Sequence, residues 1–353
     1  KAVQAAPRSS PPLELEPLDD PETLEGAAVA SEWDELAERS RNIFATRQWL
    51  ATWWRHFGRG RPLLLTACRA RGGRLAAVLP LYAASGHPFR VLRFVGHGPG
   101  DQLGPVCARA ERPAAARALR RLLRERADEW DVFVGDELLA DEGWSALLGA
   151  KTLSRQASPV LRSRGRTWDD VLGTMSSSAR KKIRYEERRL AREHDLRYRL
   201  VDDPGTLNGA LDALFALHSA RWSGDSPFLR AEQFHRDFAA RALRRGWLRL
   251  WLLELDGDPV AAWYGFRYGG VESYYQSGRD PHWRQMSVGS VLVVHSIRAA
   301  IEDGAEEYRF LRGEEEFKGR FADADHGLET VVLSRGLIGG AATAVRPLAR
   351  RYL

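Results

Sequence analysis

Cysteine is nearly absent from this sequence. The two that occur, Cys68 and Cys107, sit in apolar contexts and exclude a disulfide framework. No histidine motif accompanies either thiol, so each reads as a small buried hydrophobe rather than a nucleophile. No apolar run approaches the length of a membrane span, and no basic start followed by an apolar core and a cleavage site is visible; a cytoplasmic protein is expected. The nine histidines are scattered, none at ligand spacing from Cys, Asp or Glu, and no metal is expected. Lysine is scarce too: five of the 53 basic residues are lysines. With a net charge of only +6, this arginine-, alanine- and glycine-rich composition reads as that of a GC-rich bacterial genome, not as a nucleic-acid signature. What remains, 44% hydrophobic and 28% charged over 353 residues, suits a soluble globular chain of one to three domains.

The clearest organisation lies between Trp247 and Leu333. Trp247–Leu255 and Val260–Tyr268 are apolar, β-prone runs joined at Asp256-Gly257, a dipeptide that accepts the positive φ of a tight hairpin. Gly269-Gly270 turns the chain again into Val271–Ser277. Arg284-Gln285-Met286-Ser287-Val288-Gly289-Ser290 then leads into Val291–Ile301, apolar on most of its circumference and so a helix packed on a sheet, stopped by Gly304. Tyr308–Leu311 returns as a strand. A small-residue loop at the mouth of a buried helix is either an ordinary connection or a phosphate cradle, because first-turn N–H groups and the helix dipole favour an anion.

The first half follows the same order. After a segment (1–30) that reads as a mobile tail come a helix from Ser31 and a second over Thr46–Phe57 with a core-facing stripe of Trp49, Trp53, Trp54 and Phe57. Strands over Pro62–Arg69, Arg74–Tyr82 and Val91–Val95 precede a glycine-rich loop, Gly96–Gly104, that carries Asp101; a helical run and the strand Asp131–Val134 follow. The chain therefore reads as two copies of one α/β unit, 31–157 and 158–336, joined near Ser154–Trp168 and followed by a basic segment, 337–353. Early in the second copy, a Ser176-Ser177-Ser178 capping cluster opens a basic helix from Arg180. It is either a solvated face with i,i+4 charge pairs or a cleft wall where Arg180, Lys181 and Arg184 hold phosphate or carboxylate groups; RNA binding is a further use of such a patch. Arg221 and Trp222 end the next helix, beside a polar loop placed to cover a substrate.

The meander, basic loop, helix and strand of the second half resemble the acyl-CoA half of the GNAT acyltransferase superfamily. Over Trp33–Arg335, five short stretches in order resemble the tandem-GNAT proteins: Ile43–Leu50 with Trp53-Trp54, Leu79-Pro80-Leu81, the basic helix from Arg180, Leu217–Trp222, and Phe310–Glu314 with Phe317-Lys318. That group includes the Fem-type aminoacyltransferases and, closer in pattern, the acetyltransferases of the cellulose-biosynthesis (CelD/BcsL) type. The resemblance implies two GNAT-like lobes, each a mixed sheet flanked by helices, facing across a cleft. It implies acyl-CoA as donor, its pyrophosphate held by Arg284, Gln285, Met286, Ser287, Val288, Gly289 and Ser290, although Ser287 or Val288 stands where the family has its first loop glycine. It implies that the strand ending at Gln276 and Ser277 polarises the thioester, that Lys318 stabilises developing negative charge, and that Glu314 and Asp101 act as base or acceptor anchor. Arg180, Lys181, Arg184, Arg221 and Trp222 would bind the acceptor, a small molecule or glycan whose amino or hydroxyl group is acylated. The rivals are an aminoacyl-tRNA-dependent, Fem-like transferase and a non-catalytic binding component of an envelope or exopolysaccharide complex.

Overall fold

The computed structural model describes residues 11–27, 29–85, 89–222 and 226–335. Two mixed sheets form the core of two lobes. The first is built from β1 (Glu14–Pro17), β2 (Leu63–Arg69), β3 (Leu75–Ser85), β4 (Val91–Phe94), β5 (Val106–Cys107), β6 (Val132–Leu139) and β7 (Lys151–Gln156). The second holds β8 (Pro159–Arg162), β9 (Leu196–Leu200), β10 (Leu248–Leu255), β11 (Asp258–Tyr268), β12 (Val271–Arg279), β13 (Glu307–Arg309) and β14 (Ala324–Asp325). In each, four strands run as an antiparallel meander, β1 to β4 and β9 to β12, and a helix then carries the chain to a parallel fifth strand, β6 or β13. The repeat of pattern is thus a repeat of topology. The turns form as their residues require: Asp256 and Gly257 have φ of 55° and 95°, and Gly269 and Gly270 of 55° and 76°.

Two segments depart from the sequence expectation. Part of the expected tail is structured: Glu14–Pro17 pairs with β2, and Leu13 and Leu24 are buried. The last strand, β15 (Leu328–Ser334), falls with the second unit by chain position but inserts between β6 and β7 of the first sheet. In the second sheet β8 occupies the equivalent place beside β13. The segment 1–10 and the basic segment 337–353 lie outside the described residues.

One hydrophobic core spans both lobes, and the second lobe has a further core of its own around the Val288–Glu302 helix; in the shared one the packing crosses between lobes. The aromatic stripe on the Arg47–Trp53 helix is its centre: Trp49 packs edge-on to Phe234 at 4.9 Å and Phe238 at 4.6 Å, both from the Glu232–Arg244 helix of the other lobe. Each such pair contributes roughly 0.5–1.5 kcal/mol beyond the area it buries. Both cysteines are buried, which pushes each thiol up to about 12. No described helix is long and apolar enough to cross a membrane, and among the described residues no group of three His, Cys, Asp or Glu side chains is placed to hold a metal ion.

The strand exchange has an ionic clasp. His326, between β14 and β15, pairs with Asp141 of the first lobe at 2.7 Å and lies 3.7 Å from Glu307 on β13, a charge contact rather than a hydrogen bond. Asp141 first and Glu307 second raise the imidazole to about 9. A histidine raised above its unfolded value of about 6.5 contributes stability that is complete below that value and is lost as pH climbs through the folded one. Urea unfolding is therefore expected to show stability falling between pH 6.5 and 9, by at most about 3 kcal/mol. His326→Gln should flatten that slope; a slope unchanged in the variant would assign it elsewhere.

Candidate active site

The site forms where two parallel strands part. β12 and β13 pair through three residues, Val271 to Ser273 against Glu307 to Arg309, after which β12 leaves β13 and runs on to Arg279 paired with β11 alone. β12 also bulges against β11: Tyr274 opposes Gly265 and Gln276 opposes Tyr264, so Tyr275 is the extra residue. Gly265 is needed there, since a Cβ would lie 2.1 Å from the Ser273 carbonyl oxygen and 2.5 Å from the Trp263 ring. The bulge sends Tyr274 and Ser277 to one side of the strand, and Tyr275 and Gln276 to the other. A cavity opens on each side, of about 560 Å³ on the first and 220 Å³ on the second.

The larger cavity lies at the N-terminus of the Val288–Glu302 helix. Arg284, Ser287, Gly289 and Ser290 border it there, with Tyr274, Ser277 and Arg279 from β12, Phe317 and Phe321 from the loop after β13, and Arg221 from the Pro204–Trp222 helix. Ser287 takes a left-handed conformation, φ 54°, at the N-cap, and its side chain makes no capping hydrogen bond. Burial, then Arg221 and Arg284, hold the Arg279 guanidinium below its ordinary value. Three mutually repelling cations at a helix N-terminus make a strongly positive pocket mouth.

A hydrogen-bond chain fixes the strand end. Ser277 Oγ accepts from Arg221 at 2.9 Å and is bonded to the Tyr274 hydroxyl at 2.6 Å. The Ser277 carbonyl accepts from His218 Nδ1 at 3.0 Å, and His218 Nε2 lies 3.0 Å from Ser226 Oγ. Burial keeps this imidazole below its ordinary value, and hence neutral. The helix can reach the strand because position 278 is glycine: a Cβ there would sit 2.4 Å from the His218 backbone nitrogen.

The structure brings together part of the expected constellation. Arg221, Ser277, Arg284, Ser287, Gly289 and Ser290 line the larger cavity; Gln276 lines the smaller one instead. Gln285 is exposed, Met286 packs on the second lobe's core and Val288 is buried in it, so none of these three borders either cavity. The segment is a short 3-10 turn, Pro281–Met286, running into the helix, not an open loop. On the basic helix, Ser177–Glu193, the cavity face is Ala179, Lys182, Ile183 and Glu186, at the i, i+3, i+4, i+7 spacing of one helical stripe. Arg180, Lys181 and Arg184 miss that stripe; Arg180 donates to the Met175 carbonyl at 2.7 Å, and Lys181 and Arg184 are exposed. Lys182, Arg279, Tyr274 and Phe317 are site residues that sequence reasoning missed. For Lys182 the signal is Ile183, whose apolar side chain marks the packed face. The Trp222 side chain lies outside the described residues.

Lys318 lines neither cavity. It is buried, and Nζ donates to the Arg312 carbonyl at 2.6 Å and pairs with Glu315 at 2.8 Å, bracing the loop after β13. Glu314 is exposed and borders neither cavity. Asp101 joins the lobes: its carboxylate accepts from the Arg312 backbone N–H at 3.0 Å, and the Arg312 guanidinium reaches Glu137 at 3.4 Å and the Gly98 and Gly100 carbonyls. Burial pushes the carboxyl of Asp101 upward, and Arg312 opposes it.

Residues 177–319, within the second lobe, match the model of the Acetyltransferase (GNAT) domain family. Over nearly its whole length the chain is similar in fold to FemX, with a TM-score of 0.65 at 13% identity, covering 92% of this chain and 99% of that one. It is also similar to the C-terminal domain of a putative lysylphosphatidylglycerol synthetase from Agrobacterium fabrum (TM-score 0.58, 12% identity, 91% and 96% covered). L-PGS from Bacillus licheniformis gives a TM-score of 0.57 at 13% identity, with 94% and 98% covered. Identities this low establish a common fold and no more. No curated protein matches the sequence.

Proposed function

We propose that this chain is an acyltransferase that takes an acyl group from acyl-CoA and delivers it to an amino or hydroxyl group of a sugar, polysaccharide precursor or related metabolite in the cytoplasm. One observation carries the reading: Arg221, Arg279 and Arg284 converge with the N-terminus of the Val288–Glu302 helix on a cavity of about 560 Å³ beside a bulged, splayed strand. Arginine grips phosphate oxygens bidentately and a helix N-terminus offers unpaired N–H groups, which together suit a pyrophosphate. The gap between β12 and β13 suits the narrow arm that carries the thioester, with Tyr274 and Phe317 as its apolar wall. In the transfer, the acceptor nitrogen or oxygen attacks the thioester carbon and the C–S bond breaks; CoA leaves as the thiol with the proton the acceptor gives up. The backbone at the β12 bulge is suited to polarising the thioester carbonyl. The motifs resembling the cellulose-biosynthesis acetyltransferases support the same donor.

A second donor is favoured by one feature: Lys181, Arg184 and Arg188 form an exposed basic face on the helix that borders the cavity, as an aminoacyl-tRNA donor would use. Thermal unfolding with CoA, acetyl-CoA, longer acyl-CoAs and tRNA separates the two. A ligand bound only by the folded state adds about 2.7 kcal/mol at a hundredfold excess over its Kd. CoA compounds are expected to raise the melting temperature; a rise with tRNA and none with any CoA compound would overturn the acyl-CoA reading.

A further inference from the structure

The smaller cavity carries an inference that rests on the acyltransferase reading and deepens it. Its walls come from both lobes: Trp53, Tyr82 and His97 from the first, and Phe228, His235 and Tyr275 from the second. It lies on the opposite side of the β12 bulge from the larger cavity, with Tyr275 and Gln276 on its side and Tyr274 and Ser277 on the other.

The charge of the lining is one-sided. Four arginines border the cavity and no carboxylate does. Two of them, Arg93 and Arg312, are matched from behind the wall by Asp136 at 2.8 Å and by Glu137 at 3.4 Å. Arg61 is different: it donates to the Ala84 carbonyl at 3.1 Å and lies over the Tyr82 ring at 5.6 Å, and neither contact neutralises it.

His235 is the second and independent feature. Its residue is 1% exposed, yet neither ring nitrogen has a hydrogen-bond partner among the described residues. Leaving a buried polar group unpaired costs about 1–3 kcal/mol, so such a group in a cavity wall asks for something to bond. The ring is held in place by Phe228, with centroids 4.5 Å apart, and Tyr275, at 5.3 Å. Burial pushes it down to about 3, so the imidazole is neutral and offers one donor and one acceptor.

We propose that the interlobe cavity is the acceptor pocket, that it takes a small anionic amine or alcohol carrying a carboxylate or phosphate, and that His235 hydrogen-bonds that acceptor. Arg61 receives the anion, as a charge-assisted pair. The aromatic walls receive the apolar face of its body. At about 220 Å³ the pocket lies below the range of roughly 300–1,000 Å³ typical of drug-sized ligands, which limits the occupant to one compact unit and not a length of polymer.

The test uses the whole chain with isotopically labelled histidine, and reads the His235 ring resonances by NMR. The probes are three pairs matched in body and differing in charge: glucosamine 6-phosphate and glucosamine, L-phenylalanine and phenethylamine, 4-hydroxybenzoate and 4-hydroxybenzyl alcohol. At least one member that carries the carboxylate or phosphate is expected to shift the His235 signals saturably at millimolar concentration, its partner lacking that group binding about tenfold more weakly or worse. Arg61→Gln should erase that difference, and in His235→Gln, where the reporting ring is gone, calorimetric titration should show the acid-bearing probe weakened by about tenfold. Signals unmoved by all three acid-bearing probes, or partners without the acid group binding as well, would overturn the proposal, and the parent protein alone suffices to see either. The CoA melting shift on the same samples keeps the two claims apart. CoA bound with no anion reaching His235 removes the acceptor pocket alone; an anion at His235 with no CoA bound removes the donor reading and leaves the pocket.

Discussion

Arg279→Met is expected to weaken CoA binding by roughly 10- to 100-fold while leaving the free protein's stability within about 0.5 kcal/mol of the parent. The two halves of this outcome come from one geometry. Arg279 lies at the cavity mouth with Arg221 and Arg284, and their charges already depress it, so removing it relieves repulsion in the empty protein. Methionine keeps most of the aliphatic stem that lies against Gly289, where the Arg279 Cδ would be 3.1 Å from an added Cβ. A bound pyrophosphate, by contrast, would lose a charge-assisted contact worth about 1.5–3 kcal/mol. Calorimetric titration with CoA and urea unfolding without it measure both sides, and the affinity loss should shrink at high salt as screening weakens every phosphate contact. An Arg279→Met protein that binds CoA like the parent would take the phosphate out of this cavity. One that loses stability as well as affinity would make Arg279 a structural residue.

Much of the fold was legible because the informative patterns are local. Alternating apolar runs with Asp-Gly or Gly-Gly between them specify hairpins by their own backbone needs, and the structure forms both turns. The helix from Val288 was legible as a buried helix, but its start was not: Val288 looks like loop until its burial in the second core is seen. The exchange of β15 into the first sheet leaves no local mark, since a strand's composition states that it is a strand and not which neighbour it pairs with. The site divides the same way. Arginines and small residues before the helix are readable as a phosphate cradle, whereas Arg279 falls just past the expected strand, Val271–Ser277, until β12 is seen to run on to Arg279 beyond its pairing with β13. On the basic helix the charges are uniform and only Ile183 distinguishes the face that carries Lys182. Scarcity of lysine singles out Lys318, but scarcity says nothing of direction, and the side chain turns to the Arg312 carbonyl. His235, between Phe234 and Phe238 on a helix, is indistinguishable in sequence from a satisfied core histidine.

The largest effect on stability is expected from Arg312→Met. This guanidinium stands against Glu137 at 3.4 Å and Asp101 at 3.8 Å, two acids drawn from the first lobe, and its own backbone N–H holds Asp101. Burial pushes Glu137 up to about 7, Asp136 to about 6, and Asp101 upward as well, with Arg312 the leading opposing charge for Asp101 and Glu137. Breaking a buried pair on one side costs about 3–5 kcal/mol; the Arg312 side chain keeps 37% of its surface toward the cavity, and water there trims the expected loss to about 2–3 kcal/mol. The pH dependence identifies the cause. Without the guanidinium the buried acids rise further above their unfolded values, so the folded state holds protons the unfolded state has released. Stability then is greatest at low pH and falls as pH rises, and the variant's deficit should be larger at pH 8 than at pH 5. Adding Glu137→Gln removes one stranded acid and should return part of the loss at pH 8 and little at pH 5. Equal deficits at both pH values, or none, would show that the lobes are held by their shared aromatic core around Trp49 and not by this ionic contact.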